Sequence, residues 1–202
     1  MTINEAISAL ELRLGQDESN PKISRRQMQY ELDAARAMLV HDYLRENGYD
    51  IHDDMVTWLD CQTYVKEDSE CDDCTEKYLT LPGNVMDLPD EMGVFALLRP
   101  GGFAVTRIGG SGARALQKRS RYSVKEGWWK KGDKIMLQGS FPADTQFSAG
   151  LVLSRTNTLS STVAYPMPEY LMAKALDMTE QVLRRQLTEG IVRFSDGDEQ
   201  SE

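Results

Sequence analysis

Cysteine, histidine and long apolar runs are all scarce in this chain of 202 residues. Three cysteines, an odd number, argue against the paired disulfide framework of a small secreted domain. His41 and His52 are the only histidines, and no G-x-S-x-G nucleophile elbow occurs, so little is available for a histidine-centred triad. The longest unbroken apolar run is five residues, far short of the ~20 that span a bilayer. Met1 leads directly into an amphipathic pattern containing Glu5, so no secretory signal is expected. These absences predict a protein that stays, or is assembled, inside a cell, with no membrane partner, no cofactor and no enzymatic turnover.

What is present is ordinary for a globular protein in amount and unusual in distribution. The length suits one domain, or one domain with a helical appendage. The net charge of −9 is split very unevenly. Residues 50–76 carry ten acids against the single base Lys66, whereas residues 114–134 carry eight bases against Glu126 and Asp133. A charge run is usually a solvated face. Unlike patches on one small protein also suit head-to-tail self-association. In that reading Asp68, Asp72 and Asp73 face Arg114, Lys118, Arg119, Arg121 and Lys125 of a neighbour, beside Trp128 and Trp129.

Periodicity predicts helices at both ends. Ile3, Ile7, Leu10 and Leu14 share one helical face, and Gly15 stops the run. Ser24 and Gln27 have the spacing of a capping box for a second helix with the stripe Met28, Leu32, Ala35, Leu39 and Tyr43. Asn47-Gly48 ends it, and the two helices are expected to pair as a hairpin. Pro168 is expected at the first position of a last helix. Leu171, Ala175, Met178 and Val182 form one face of that helix, flanked by Met172, Leu176 and Leu183.

Between the helices lie six to eight short strand patterns, by estimate from alternation and turn chemistry. Arg99-Pro100-Gly101-Gly102 reads as a turn. The segment Trp128–Pro142 reads as a β-hairpin reversing at Lys131-Gly132-Asp133, with Trp128 opposite Ile135. The expected class is α+β, with the N-terminal hairpin and the C-terminal helix packed as a bundle, and with a central antiparallel β-sandwich or barrel-like domain. The expected bounds are 1–48 for the helical hairpin, 49–162 for the β-rich domain, 163–190 for the last helix and 191–202 for an acidic tail.

Two constellations invite chemistry. Cys61, Cys71 and Cys74 with His52 could form a Cys₃His zinc site, but there is one C-x-x-C only, and the surrounding acids disfavour thiolates. Buried or loop cysteines are the plainer reading. Gly109-Gly110-Ser111-Gly112 lacks both the Gly-Lys-Ser/Thr of a P-loop and the dinucleotide spacing, so it reads as a basic loop. The stretch 114–134, with Tyr122, Trp128 and Trp129, could touch nucleic acid, although the sequence pI of 4.8 argues against it unless that face lines a channel.

The order of motifs resembles the head-to-tail connector proteins of short-tailed phages, the ring or tail-adaptor proteins of the neck, and most of all the ring proteins of crAss-like phages. The residues that carry it are the helical hairpin Ile3–Asn47, Glu70-Cys71 with Cys74, and Leu79-Thr80-Leu81-Pro82. After these come Leu88-Pro89-Asp90-Glu91-Met92-Gly93-Val94 and the run from Tyr122 through Trp128-Trp129-Lys130-Lys131-Gly132-Asp133 to Leu137. Tyr165-Pro166-Met167-Pro168-Glu169-Tyr170 opens the last helix. The resemblance spans nearly the whole chain, and implies a structural virion protein, commonly a dodecameric ring. It implies docking below the portal protein, contact with tail or further ring proteins, and a channel that passes DNA without sequence specificity. Virion and host cytoplasm are the implied locations. A small zinc-binding or nucleic-acid-binding protein is the alternative.

Overall fold

The computed structural model describes residues 1–15, 23–48, 50–68, 75–89, 92–109 and 126–189. Among these the chain is α+β, with three helices and nine strands. It divides into a helical unit, Met1–Met55 with Ser154–Glu202, and a β unit, Val56–Leu153. The segments 49–55 and 154–162, read from sequence with the strands, thus go with the helices. Residues 16–22, the stretch 110–121 read as a basic loop and the acidic tail 191–202 lie outside the described residues.

The helical unit is built from α1 (Ile3–Arg13), α2 (Arg25–Glu46) and α3 (Glu169–Glu189). Its apolar stripes meet as predicted: Ile3, Ile7 and Leu10 of α1 pack with Met28, Leu32 and Leu39 of α2 and Met172, Leu176 and Leu183 of α3. On α3 the inward face is rotated from the expected one, because Val182 is exposed and Thr179 is buried, donating back to the Ala175 carbonyl at 2.7 Å. The capping box also differs from expectation. Ser24 accepts from the Gln27 amide, but the Gln27 side chain turns forward to Glu31. The reciprocal box is at α1, where Thr2 Oγ1 accepts from the Glu5 amide and Glu5 accepts from the Thr2 amide at 2.7 Å. Pro168 sits one residue before α3, not within its first turn, and its carbonyl accepts from the Leu171 and Met172 amides. Backbone bonds from Ile3 to Val163, from Asn4 to Ser161 and from Tyr165 to Met1 strap the loop before α3 onto the start of α1.

The β unit has two sheets. The first has the order β1 (Thr57–Thr63), β9 (Gln146–Leu151), β4 (Val94–Arg99), β5 (Phe103–Ala104), all antiparallel. The second has the order β2 (Val65–Asp68), β3 (Thr75–Thr80), β8 (Lys134–Gln138), β7 (Gly127–Lys131), β6 (Thr106–Arg107). It is not purely antiparallel as expected, since β6 runs parallel to β7. At both margins one chain passes from sheet to sheet, a device that makes corners in sandwiches. β1 becomes β2 at Tyr64, which is buried and donates from its hydroxyl to the Phe141 carbonyl at 2.9 Å. β5 becomes β6 at Val105, whose amide bonds Leu97 of the first sheet while its carbonyl accepts from the Trp128 indole of the second.

The expected hairpin is β7–β8, closed by Gly132-Asp133, with Gly132 at φ 62. Its register is shifted from expectation: Trp128 faces Leu137, and Ile135 faces Lys130. The first sheet bears irregularities that sequence pattern does not show. β1 carries an extra residue between Leu59 and Gln62, and Cys61 there takes φ 57 without being glycine.

Two glycines on these turns should respond differently to alanine. A Cβ on Gly93 would lie 2.0 Å from the Met86 carbonyl oxygen, so backbone must move. A Cβ on Gly132 meets nothing, and only its left-handed backbone is penalised. Gly132→Ala is expected to lower the urea-unfolding free energy by about 1 kcal/mol, and Gly93→Ala by clearly more.

Candidate functional site

The charged hairpin is the first candidate, and its surroundings follow from strand register. On the outward face of the second sheet Glu67 lies directly opposite Glu76, and Lys131 directly opposite Lys134. Like charges so placed repel. Side chains reaching across one intervening strand relieve this. Lys134 reaches Glu67 and Lys131 reaches Glu76, each at 3.6 Å, and Lys134 stands 3.8 Å over the Tyr78 ring. Lys130 reaches Asp87 at 3.8 Å. Acids of the 50–76 segment and bases of the 114–134 segment therefore meet within one chain, where sequence reading had set them between chains.

The aromatic pair separates. Trp128 is 1% exposed, donates from Nε1 to the Val105 carbonyl at 3.0 Å and carries Arg107 over its ring. It is a core residue joining the two sheets, not a contact for a partner. Trp129 points the other way, opposite Met136, and is half-buried. Asp68 ends β2 opposite Thr75. Asp72, Asp73, Arg114, Lys118, Arg119, Arg121 and Lys125 lie outside the described residues.

Of the zinc candidates, Cys71 and Cys74 also lie outside the described residues. Cys61 is exposed on its bulge. His52 belongs to the helical unit, where Nδ1 accepts from the Asp54 amide at 3.2 Å and the ring meets Tyr170 edge-on. Among the described residues no group of three or more His, Cys, Asp or Glu side chains converges on one point. No described helix is long and apolar enough to cross a membrane.

The most elaborate polar cluster was not anticipated. Asp33 and Arg36, one turn apart on α2, point inward and are 3% and 0% exposed. The Asp33 carboxylate accepts from the Thr156 amide at 2.8 Å, from the Thr156 hydroxyl at 2.9 Å and from the Tyr165 hydroxyl at 2.9 Å. Gln29 donates to the same Thr156 hydroxyl. Arg36 donates from Nε to the Pro166 carbonyl at 2.8 Å and from Nη2 to the Met55 carbonyl at 3.4 Å. One helix face thereby holds both the residue that closes the first helical segment and the loop that begins the second. A sequence signal existed: Asp33 and Arg36 flank Leu32 and Ala35, inside the stripe already assigned to the core.

Burial sets the electrostatics of this cluster. Desolvation raises the Asp33 pKa above its ordinary value, against the lowering effect of the Thr156 amide, the two hydroxyls and Arg36. Burial, followed by the nearby Asp33 charge, pushes the Tyr165 hydroxyl well up, so it stays protonated as a donor. Burial also lowers the Arg36 pKa. The arrangement suits fastening rather than turnover: every acceptor position named here is occupied by a protein donor. No family model matches the chain, and no curated protein matches it.

Arg36→Ala is expected to cost about 3–5 kcal/mol of stability, since it strips donors from buried carbonyls and removes a positive charge beside a buried carboxylate. The pH test has a definite sign. A carboxyl whose folded pKa is raised stabilises the fold below its unfolded pKa, and that contribution is lost as pH rises through the folded value. The unfolding free energy of the wild type minus that of Asp33→Asn should therefore fall as pH is raised from about 3.8, then level off above the raised folded pKa. A difference that grows with pH would show that the hydrogen bonds outweigh desolvation.

Proposed function

We propose that this chain is a structural subunit of a head-to-tail connector ring in a short-tailed phage, docking below the portal and extending the DNA channel toward the tail. The observation that carries the reading is the motif order, which runs through both units: the α1–α2 hairpin, the Leu79–Leu81 strand end, the Trp128–Leu137 hairpin and the Pro-led entry to α3. A helical unit and a two-sheet β unit in one chain agree with the α+β class that the resemblance implies.

Subunits of such a ring meet through two different surfaces. Glu67, Glu76, Lys131 and Lys134 have partners inside the chain, and the unlike charges proposed for contact between subunits are Asp68, Asp72 and Asp73 on one side, and Arg114, Lys118, Arg119, Arg121 and Lys125 on the other. Rim charges of this kind contribute about 0–1 kcal/mol each, so they orient partners and apolar surface supplies the affinity.

Mass measurement of the purified chain at rising concentration should give a closed multiple well above two, and images of that species should show a ring with a central opening. Reversing Arg119, Arg121 and Lys125 to Glu should impair it, and reversing Asp68, Asp72 and Asp73 to Lys in the same chain should partly restore it. Lys131→Glu should instead lower subunit stability and leave assembly intact. A chain that remains monomeric at all concentrations, alone and with portal protein, overturns the reading.

A further inference from the structure

Helix α2 is apolar on two sides. One side is the core stripe, and the other faces solvent. Along the outer side runs a row at i+4 spacing: Arg26, Tyr30, Ala34, Met38 and Asp42, all exposed. Tyr30 is 50% and Met38 60% exposed, which is high for large apolar groups in a packed bundle. Arg155 lies over one face of the Tyr30 ring at 5.0 Å and leaves the rest open.

We infer that this row is a two-fold docking surface whose occupant is the α2 helix of a second copy of the chain. The row is complementary to its own reverse about Ala34. Residues four apart form the ridges that interdigitate when two helices cross at about −50°, with axes about 8–10 Å apart. Set antiparallel across a two-fold axis at Ala34, the small methyl groups meet at the point of closest approach. Tyr30 then lies beside Met38 of the partner subunit, an aromatic–thioether contact. At the two ends Arg26 lies toward Asp42 of the partner subunit, so both flanks are unlike pairs.

Any other register places Tyr30 or Met38 at the crossing point, where its bulk holds the helices apart. The charges oppose a parallel pairing, which would set Arg26 near Arg26 of the partner subunit. The Asp42 carboxylate has an exposed partner of its own, Arg45 at 3.2 Å, and such surface pairs are weak enough to be shared. A two-fold contact closes on itself at two copies, so this pairing is distinct from the contact that would propagate a ring and does not depend on it.

Sedimentation velocity on the full chain, over about 1 to 100 µM, tests the inference. In the Arg119→Glu, Arg121→Glu, Lys125→Glu background, where ring closure is impaired, the chain is expected to pass from one copy to two, and the variants below are made in that background. Ala34→Glu, which brings like charges and bulk to the two-fold while keeping a good helix former, should remain monomeric, and Ala34→Ser should behave as the background chain. Arg26→Glu and Asp42→Arg should each weaken the dimer about three- to tenfold, and the double variant should recover to within about twofold. Far-ultraviolet circular dichroism checks that each variant is folded, and if Ala34→Glu is not, the charge exchange decides alone. A background chain that stays monomeric, an Ala34→Glu variant that pairs as the background chain does, or a double variant no better than either single one overturns the contact. Assemblies larger than two that persist unchanged in Ala34→Glu overturn it while leaving the ring reading standing.

Discussion

A carboxylate with no access to water organises the helical unit. Asp33 can be buried only if donors converge on it, and those donors come from a loop more than a hundred positions away in the chain. Once Thr156 and Tyr165 are held there, the entry to α3 is placed against α2. Arg36 extends the same constraint to Pro166 and Met55. Apolar packing would tolerate several sliding arrangements of three helices, whereas a set of directional bonds to one carboxylate tolerates few. The cost is a standing one, because a buried charge is never as well solvated as in water.

The β unit solves a different problem. A two-sheet structure exposes four margins, and each is a row of unpaired backbone groups. Here two continuous segments serve as margins for both sheets, turning at Tyr64 and Val105. Each turn is anchored by a side-chain bond to backbone, from Tyr64 to Phe141 and from Trp128 to Val105. The Trp128 indole therefore has its amphipathic character fully used: its ring fills the core and its N–H satisfies the carbonyl exposed by the change of sheet.

Charge placement links fold to function. Long side chains on the second sheet join Lys134 to Glu67 and Lys131 to Glu76, so two like-charged cross-strand pairs are each partnered by the other. The most conspicuous opposition in composition is therefore partly neutralised inside the subunit. For the proposed contacts between copies there remain a smaller set of charges and the exposed row of α2, which is neutral in sum and specific in order.

The sequence by itself determined the α+β class, the three helices and the inward stripes of the first two, the turn glycines at 101, 102 and 132, and the hairpin at Trp128. These are local properties: periodicity of 3.6 or 2, and a left-handed turn that favours glycine. Tertiary structure alone decided what depends on partners distant in sequence. It settled whether Gln27 turned back to its cap or forward to Glu31, which residue faced Trp128, and that β6 lay parallel to β7. It also turned Asp33 and Arg36 inward, because a charged side chain is buried only where the rest of the fold supplies its bonds; their place within the α2 stripe hints at burial but does not name those partners.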